Sequence, residues 1–238
     1  MANNYFQFKQ FTIQQDKCAM KVCTDACLFG AYMANELQQV AVKNVLDIGT
    51  GTGLLSLMLT QKTTALIDAV EIDTAAFEQA KENIAQSPFN NRITIFNTDI
   101  TIFDPGKKYD CIISNPPFFE AELKSEDEKK NFAKHDSALT LDALLQAIDT
   151  HLSGEGFFAL LLPWHRSNYF EEEAAKLNFY CDKKILVRQT PKHNYFRVIL
   201  FFSKKKVALK ENEIIIKNEE GIYTAGFISL LKDYYLNL

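Results

Sequence analysis

The sequence predicts an α/β fold, a doubly wound and mainly parallel sheet with one antiparallel strand at an edge. Two observations carry this. Between residues 44 and 177, apolar runs of strand length alternate with segments of helical period, and strands separated by helices pair in parallel through right-handed crossovers. Toward the end, "KKILVRQT" and "YFRVILFFSK" are separated only by "PKHN", the spacing of a hairpin, which adds the antiparallel strand.

The elements follow in order. "FQFKQFTI" alternates as a strand does, and residues 25 to 38 have helical period. "NVLDI" (44 to 48) is a short apolar strand running into glycines, "GLLSLMLTQ" is helical, and "ALIDAVEI" (65 to 72) is a strand. "TAAFEQAKENIAQ" (74 to 86) is a helix expected to open on a threonine cap. Strands near 92 to 97 and 109 to 114 come next, then a helix near 140 to 151, a strand at 156 to 162 and a helix at 165 to 177. With the terminal hairpin this makes a seven-stranded sheet. The charged stretch "KSEDEKKNFAKHD" (124 to 136) reads as a mobile loop.

A chain of 238 residues, 47% hydrophobic, buries a full core as one domain. Its apolar runs fall short of the about 20 residues that cross a bilayer, and "MANNYFQFKQ" lacks a signal-peptide pattern, so a cytoplasmic protein is expected, with no membrane partner. Five cysteines, an odd number, argue against a disulfide framework. Cys18, Cys23 and Cys27 match neither zinc-knuckle nor iron–sulfur spacing and read as small hydrophobes, so no metal is expected. The net charge of −4 argues against a nucleic-acid partner. Its distribution argues the other way: Lys183, Lys184, Arg188, Lys192, Arg197, Lys204, Lys205, Lys206 and Lys210 lie in a stretch without one acid. Either they form a basic face, or they keep strand ends soluble.

Three constellations carry chemistry. In "VLDIGTGTG", a strand bearing Asp47 runs through Gly49, Gly51 and Gly53 into a helix; glycines let the backbone turn sharply and approach a ligand, whose nearest groups are then amides. The spacing G-x-G-x-G departs from the dinucleotide fingerprint and suits a nucleoside without a pyrophosphate. Glu71 ends the next strand, 20 residues past Gly51, where a carboxylate accepts both hydroxyls of a ribose. Asp99, in "FNTDI", is placed either to accept from an adenine amine or to cap a turn. Lastly, "IISNPPFF" (112 to 119) stops a strand at Asn115-Pro116-Pro117-Phe118. Two prolines offer no N–H, so this stiff loop holds carbonyl oxygens ready to accept, unless it merely terminates the strand.

"VLDIGTGTG", Glu71, Asp99 and "SNPPF", in this order, resemble the class I S-adenosylmethionine-dependent methyltransferases, and the Asn-Pro-Pro-aromatic form resembles those that methylate an amine conjugated to a planar system. "MKVCTDACLFGAYM" (20 to 33) and "FAKHDSALTLDALL" (132 to 145) are similar to the bacterial tRNA (adenine-N6)-methyltransferase family acting on valine tRNA next to the anticodon. Cys23 departs from it, standing where glycine is expected. The resemblance implies a Rossmann-like fold as a single methyltransferase domain over 1–238, with an N-terminal extension (1–40) contributing to the cofactor site, a core (41–205) and a C-terminal extension (206–238). It implies S-adenosylmethionine as cofactor, tRNA as partner and a monomer.

The resemblance also assigns roles. Asp47, Gly49, Gly51, Gly53, Glu71 and Asp99 would hold the cofactor, joined by Lys21, Thr24 and Asp25, with Lys21 toward its methionine carboxylate and Thr24 or Asp25 capping the following helix. Asn115, Pro116, Pro117 and Phe118 would be catalytic. The adenine amine is a poor nucleophile because its lone pair is delocalised; hydrogen bonds to the Asn115 oxygen and the Pro116 carbonyl would favour a pyramidal nitrogen, and Phe118 would stack on the flipped base. Phe119 extends that platform or belongs to the core, His135 meets RNA phosphate or solvent, and Tyr195 and Arg197 meet RNA or pack. Trp164 reads as packing. Asn-Pro-Pro-aromatic loops also serve enzymes acting on release-factor glutamine or on guanine N2 of ribosomal RNA, and an RNA-binding protein with a degenerate fold of this kind is the non-enzymatic alternative.

Overall fold

The computed structural model describes residues 3–18, 20–116 and 139–238. The amino-terminal run expected as one strand is two, β1 (Tyr5–Gln7) and β2 (Thr12–Gln14), paired antiparallel as a separate hairpin. After α1 (Thr24–Leu37) the chain alternates through β3 (Asn44–Ile48), α2 (Leu54–Thr60), β4 (Leu66–Glu71), α3 (Thr74–Ala85), β5 (Ile93–Asn97) and β6 (Tyr109–Ser114). It continues through α4 (Leu141–His151), β7 (Leu152–Pro163), α5 (Ser167–Lys176), β8 (Tyr180–Arg188), β9 (Tyr195–Ser203), β10 (Lys210–Ile215) and α6 (Ala225–Leu231). Helix α3 is capped by Asp73, whose carboxylate accepts from Ala76 N at 2.8 Å, and not by Thr74, which is already its first helical residue.

The main sheet has the order β10-β8-β9-β7-β6-β3-β4-β5. The doubly wound α/β architecture is therefore as expected, with two differences. There are eight strands, because residues 210 to 215 pair in parallel with β8, from Lys210 opposite Lys183 to Ile215 opposite Arg188. The antiparallel strand is also internal. The free edge of β7 takes up the second strand of the hairpin, β9, with Phe157 opposite Ser203 and Pro163 opposite Arg197, and β8 is left outside it.

Strands β3, β4 and β6 read as near-continuous apolar runs because both faces are covered. Val45, Ile67, Ala69, Cys111 and Ile113 face a core with Leu28, Phe29 and Met58 of α1 and α2, while Leu46, Ile48, Val70 and Ile112 face Leu144, Ile148 and Phe170 of α4 and α5. Trp164 follows β7 in a short 3-10 turn and is half-buried against Tyr195, as expected of a packing residue.

Among the described residues, seven of the nine cations in the acid-free stretch are paired with acids from elsewhere in the chain. Lys183 pairs with Glu36 (2.6 Å), Lys184 with Glu171 (2.8 Å), Arg188 with Glu213 (2.8 Å), Lys192 with Glu219 (2.9 Å), Arg197 with Asp25 (2.7 Å), Lys204 with Asp149 (2.5 Å) and Lys205 with Glu155. Arg188 ends β8, Lys204 follows β9 and Lys210 begins β10, as the strand-end reading has it, whereas Lys183, Lys184 and Arg197 lie within strands. Among the described residues no helix is long and apolar enough to cross a membrane.

The amino-terminal arm buries Phe8, Phe11 and Ile13 in the core beside the sheet and is tied to it further by one polar anchor. Asn83 of α3, 1% exposed, accepts from Gln14 N (2.8 Å) and donates to Gln14 O (3.0 Å) and Thr52 O (2.9 Å), joining the hairpin, α3 and the glycine turn. Gln79 adds a bond from Lys17 N at 3.1 Å, and Gln15 one from Val22 N at 2.8 Å. Asn83→Ala leaves three backbone groups without their partner and is expected to cost about 3 kcal/mol of stability in urea unfolding. A loss below about 0.5 kcal/mol, the range of an ordinary surface substitution, would show that the arm is held by its other contacts.

Candidate active site

The chain leaves β3 for β4 and β5 on one side and returns to β6 on the other. The carboxyl ends of β3 and β6 thus frame the topological switch point, where open α/β sheets bind ligands. Register sets what meets there. Ile48 lies opposite both Val70 and Ser114, and Ser114 Oγ donates to Ile48 O at 2.8 Å. The first residues off the two strands, Gly49 and Asn115, therefore emerge side by side.

Gly49 N and Thr50 N both donate to Val70 O, at 2.9 and 3.1 Å, so the turn begins against the end of β4. Gly49 and Gly51 have φ of +70° and +57°, which L side chains rarely adopt, and a Cβ at either would meet nothing within 4 Å. The turn thus presents bare backbone to open space. Gly53 ends it as the amino-terminal cap of α2, with φ of +80°, where an added Cβ would come into ordinary contact with Ala80 and Ile84 of α3.

Asp47 is fully buried behind this turn. Its Oδ2 accepts from Thr50 Oγ1 and Ser56 Oγ, both at 2.7 Å, and its Oδ1 is buried without a partner among the described residues. Burial pushes its pKa up to about 6, the nearby Glu71 charge adding to the rise and the two hydroxyls opposing it. Glu71, 8% exposed, accepts from Gly51 N through Oε2 (2.8 Å) and from Asp73 N through Oε1 (2.9 Å). Each oxygen keeps a second lone pair. Its carboxylate thus ties the glycine turn to the start of α3.

Beyond β5, Asp99 is half-buried and accepts from Thr101 N at 2.8 Å, so it closes a local turn. Asn115 follows β6, and its Oδ1 is buried with no partner among the described residues; Pro116 beside it is buried. Pro117, Phe118, Phe119, His135 and the charged stretch 124 to 136 lie outside the described residues. Cys111, on β6, is fully buried, and burial pushes its thiol pKa up, so it offers no thiolate.

The upstream motif behaves differently from its expected capping role. Thr24 and Asp25 are the first two helical residues of α1 and sit past the capping position, held by Cys23 with no side-chain cap bond. Asp25 instead accepts from Arg197 Nε at 2.7 Å, joining α1 to the start of β9. The exposed Lys21 Nζ donates to Asn3 O at 3.3 Å.

The structure thus brings Asp47, the glycine turn, Glu71 and Asn115 together at one edge. Thr50, Ser56, Gln79 and Asn83, which hold this arrangement, were missed in the sequence. Ser56 carried a signal, a lone hydroxyl inside the apolar helix "GLLSLML".

Sheet order and glycine turn define a class I methyltransferase fold. The methyltransferase small domain matches residues 29–147. The protein is 44% identical to a tRNA1(Val) (adenine(37)-N6)-methyltransferase of Dyadobacter fermentans, over 98% of both chains. It is 42% identical to one of Trichodesmium erythraeum, over 99% of both, and 41% identical to one of Parabacteroides distasonis, over the whole of both. The chain belongs to this family of tRNA1(Val) (adenine(37)-N6)-methyltransferases. Among solved structures, a predicted O-methyltransferase of Agrobacterium tumefaciens shares the fold, with a TM-score of 0.68 at 15% identity over 90% of this chain and all of that one. A glycopeptide N-methyltransferase complexed with S-adenosyl-L-methionine does so at 0.57 and 13% identity, over 76% of this chain and 95% of that one.

The raised Asp47 pKa has a consequence for stability. A proton is held more tightly in the fold than in the unfolded chain, so this group's contribution favours folding fully below about pH 4 and is lost as pH rises through about 6. Asp47→Asn does not titrate. Relative to the parent protein it is expected to gain about 2 kcal/mol between about pH 4.5 and about pH 7.5, measured by urea unfolding. Equal pH dependence in both proteins would contradict the burial of a titrating carboxyl.

Proposed function

We propose that this protein transfers a methyl group from S-adenosylmethionine to the exocyclic N6 of an adenine in tRNA, position 37 of valine tRNA by analogy with its relatives' names, in the cytoplasm. The observation that carries the reading is the unpartnered, buried Oδ1 of Asn115, which leaves β6 in register with Gly49.

The residues fit the cofactor on the structure's own terms. Open space beside Gly49 and Gly51 admits a nucleoside against bare backbone, and Glu71 retains lone pairs for ribose hydroxyls while its other ones clamp the turn. Asp47 Oδ1 supplies an unused buried acceptor. When bound, S-adenosylmethionine supplies an electrophilic methyl on a sulfonium. Asn115 Oδ1 and the Pro116 carbonyl accept the two N6 hydrogens, which withdraws the nitrogen lone pair from the ring and orients it. No covalent nucleophile is required: transfer would leave the neutral thioether S-adenosylhomocysteine and release one N6 proton to solvent, with positioning providing most of the rate. Phe118, by the sequence resemblance, stacks on the base.

Two substitutions separate these roles. Asn115→Ala is expected to lower methyl transfer at least about a hundredfold while cofactor affinity, measured by calorimetry, stays within about twofold. Parallel loss of both would remove Asn115 from the amine. Glu71→Ala is expected to weaken cofactor binding first; unchanged affinity would end its ribose role. The decisive assay is transfer of labelled methyl to unmodified tRNA followed by nucleoside mass spectrometry. N6-methyladenosine supports the reading, and label in ribosomal RNA or a release factor instead would overturn the substrate.

A further inference from the structure

A second concavity opens on the same edge of the sheet. Its volume is about 470 Å³, within the size range of small-ligand sites, and it is lined by Trp164, Arg188, Pro191, His193, Asn194 and Tyr195, with Lys192 at its rim. Trp164 follows β7, Arg188 ends β8 and Tyr195 begins β9, so all three lie at the carboxyl edge of the parallel strands from which Gly49 and Asn115 also emerge. Ser114 lies opposite Leu160, and Pro163 opposite Arg197. At about 4.8 Å between strands and about 3.3 Å per residue, the cavity opens roughly 15 Å from Asn115.

The lining selects a class of occupant. The Trp164 and Tyr195 rings meet edge-on at 5.7 Å, and the Arg188 guanidinium lies over Tyr195 at 5.4 Å. Glu213 balances Arg188, with its Oε2 2.8 Å from Nη2, and also accepts from the Tyr195 hydroxyl at 3.1 Å. The Pro191 carbonyl accepts from Arg188 Nη1 at 2.9 Å. The floor is therefore near-neutral and aromatic, which suits a base better than a phosphate. One donor is unused: Arg188 Nε is buried without a partner among the described residues, so a base carbonyl or ring nitrogen would satisfy it. The turn above is exposed and polar. His193, whose Nδ1 is 2.7 Å from Thr190 Oγ1, stands there with Asn194 and Lys192, groups able to meet a sugar–phosphate chain.

We propose that this cavity seats a second base of the RNA strand, one flanking the methylated adenine, so that the substrate is held at two points on one edge of the sheet. The proposal rests on the tRNA reading above. A base here fixes the strand's register relative to Asn115 without touching the reacting amine, which makes Trp164, Arg188 and Tyr195 positioning residues.

Trp164 is the chain's one tryptophan and hence a reporter within the cavity. The test titrates the full chain with an unmodified valine-tRNA anticodon stem-loop and follows indole fluorescence, alongside methylation kinetics. Expected are saturable quenching by the RNA and, for Tyr195→Leu, a KM for tRNA raised about tenfold with kcat and cofactor affinity unchanged. The double substitution His193→Ala with Asn194→Ala, confined to exposed side chains, is expected to raise the same KM about threefold with its fold intact. Methylation of tRNA with unchanged fluorescence and a parental KM in both variants would overturn the cavity proposal alone. Absence of methylation, with quenching retained, would overturn the substrate reading and leave the cavity as an RNA site.

Discussion

The Asp47 carboxylate sits at the joint between β3 and α2, out of water, with one oxygen held by the Thr50 and Ser56 hydroxyls and the other unpaired. Burying a carboxylate is unfavourable unless its oxygens are satisfied, and two neutral hydroxyls satisfy it only in part, as the rise of its pKa to about 6 records. What it secures is geometry. Thr50 belongs to the glycine turn and Ser56 to the helix beyond, so a single group fixes strand, turn and helix against one another. A hydrophobic residue here would pack without that cost but would not define the turn's path.

Around this joint, each polar group serves the fold and leaves something facing the open edge. Glu71 clamps Gly51 and Asp73 yet keeps lone pairs. Ser114 ties β6 to Ile48 and so delivers Asn115 beside Gly49. Asn83 binds the hairpin and the backbone of Thr52 in one contact set, which joins the arm to the glycine turn. Because these supports are shared, displacing one group disturbs several, which suits a reaction governed by positioning.

Most of the sheet was legible because its signals are local. Apolar runs and glycines set β3, β4 and β6, and Asp47, Glu71 and Asn115 lie within one residue of the strands' carboxyl ends. The strand count and the place of the antiparallel strand were not legible, since which strand of the terminal hairpin docks on β7 is decided by long-range pairing, and "KENEII" carries too many charges to read as a strand. Caps differ by single residues: Asp73 caps α3 in place of the adjacent Thr74, and α1, expected to be capped by Thr24 or Asp25, starts after Cys23 without any side-chain cap bond. The supporting Ser56 and Asn83 lie on helices far in sequence from what they hold.

Charge is where sequence and structure part most clearly. A run from Lys183 to Lys210 without an acid suggests a phosphate-binding face, yet the fold brings Glu36, Glu171, Glu213, Glu219, Asp25, Asp149 and Glu155 to its cations. These pairs range from half-buried, as Lys184–Glu171, to exposed, as Lys192–Glu219; the exposed ones add little stability, and all of them reduce the field that the surface presents to a polyanion. Within the described residues, then, most cations of this stretch are paired, and the recognition proposed above rests on groups that read shape: an unpaired carboxamide, aromatic faces and a buried guanidinium nitrogen. A net-acidic protein can select one base in a folded RNA on those terms, because specificity comes from the few acceptors and rings that only the correct, extruded base satisfies.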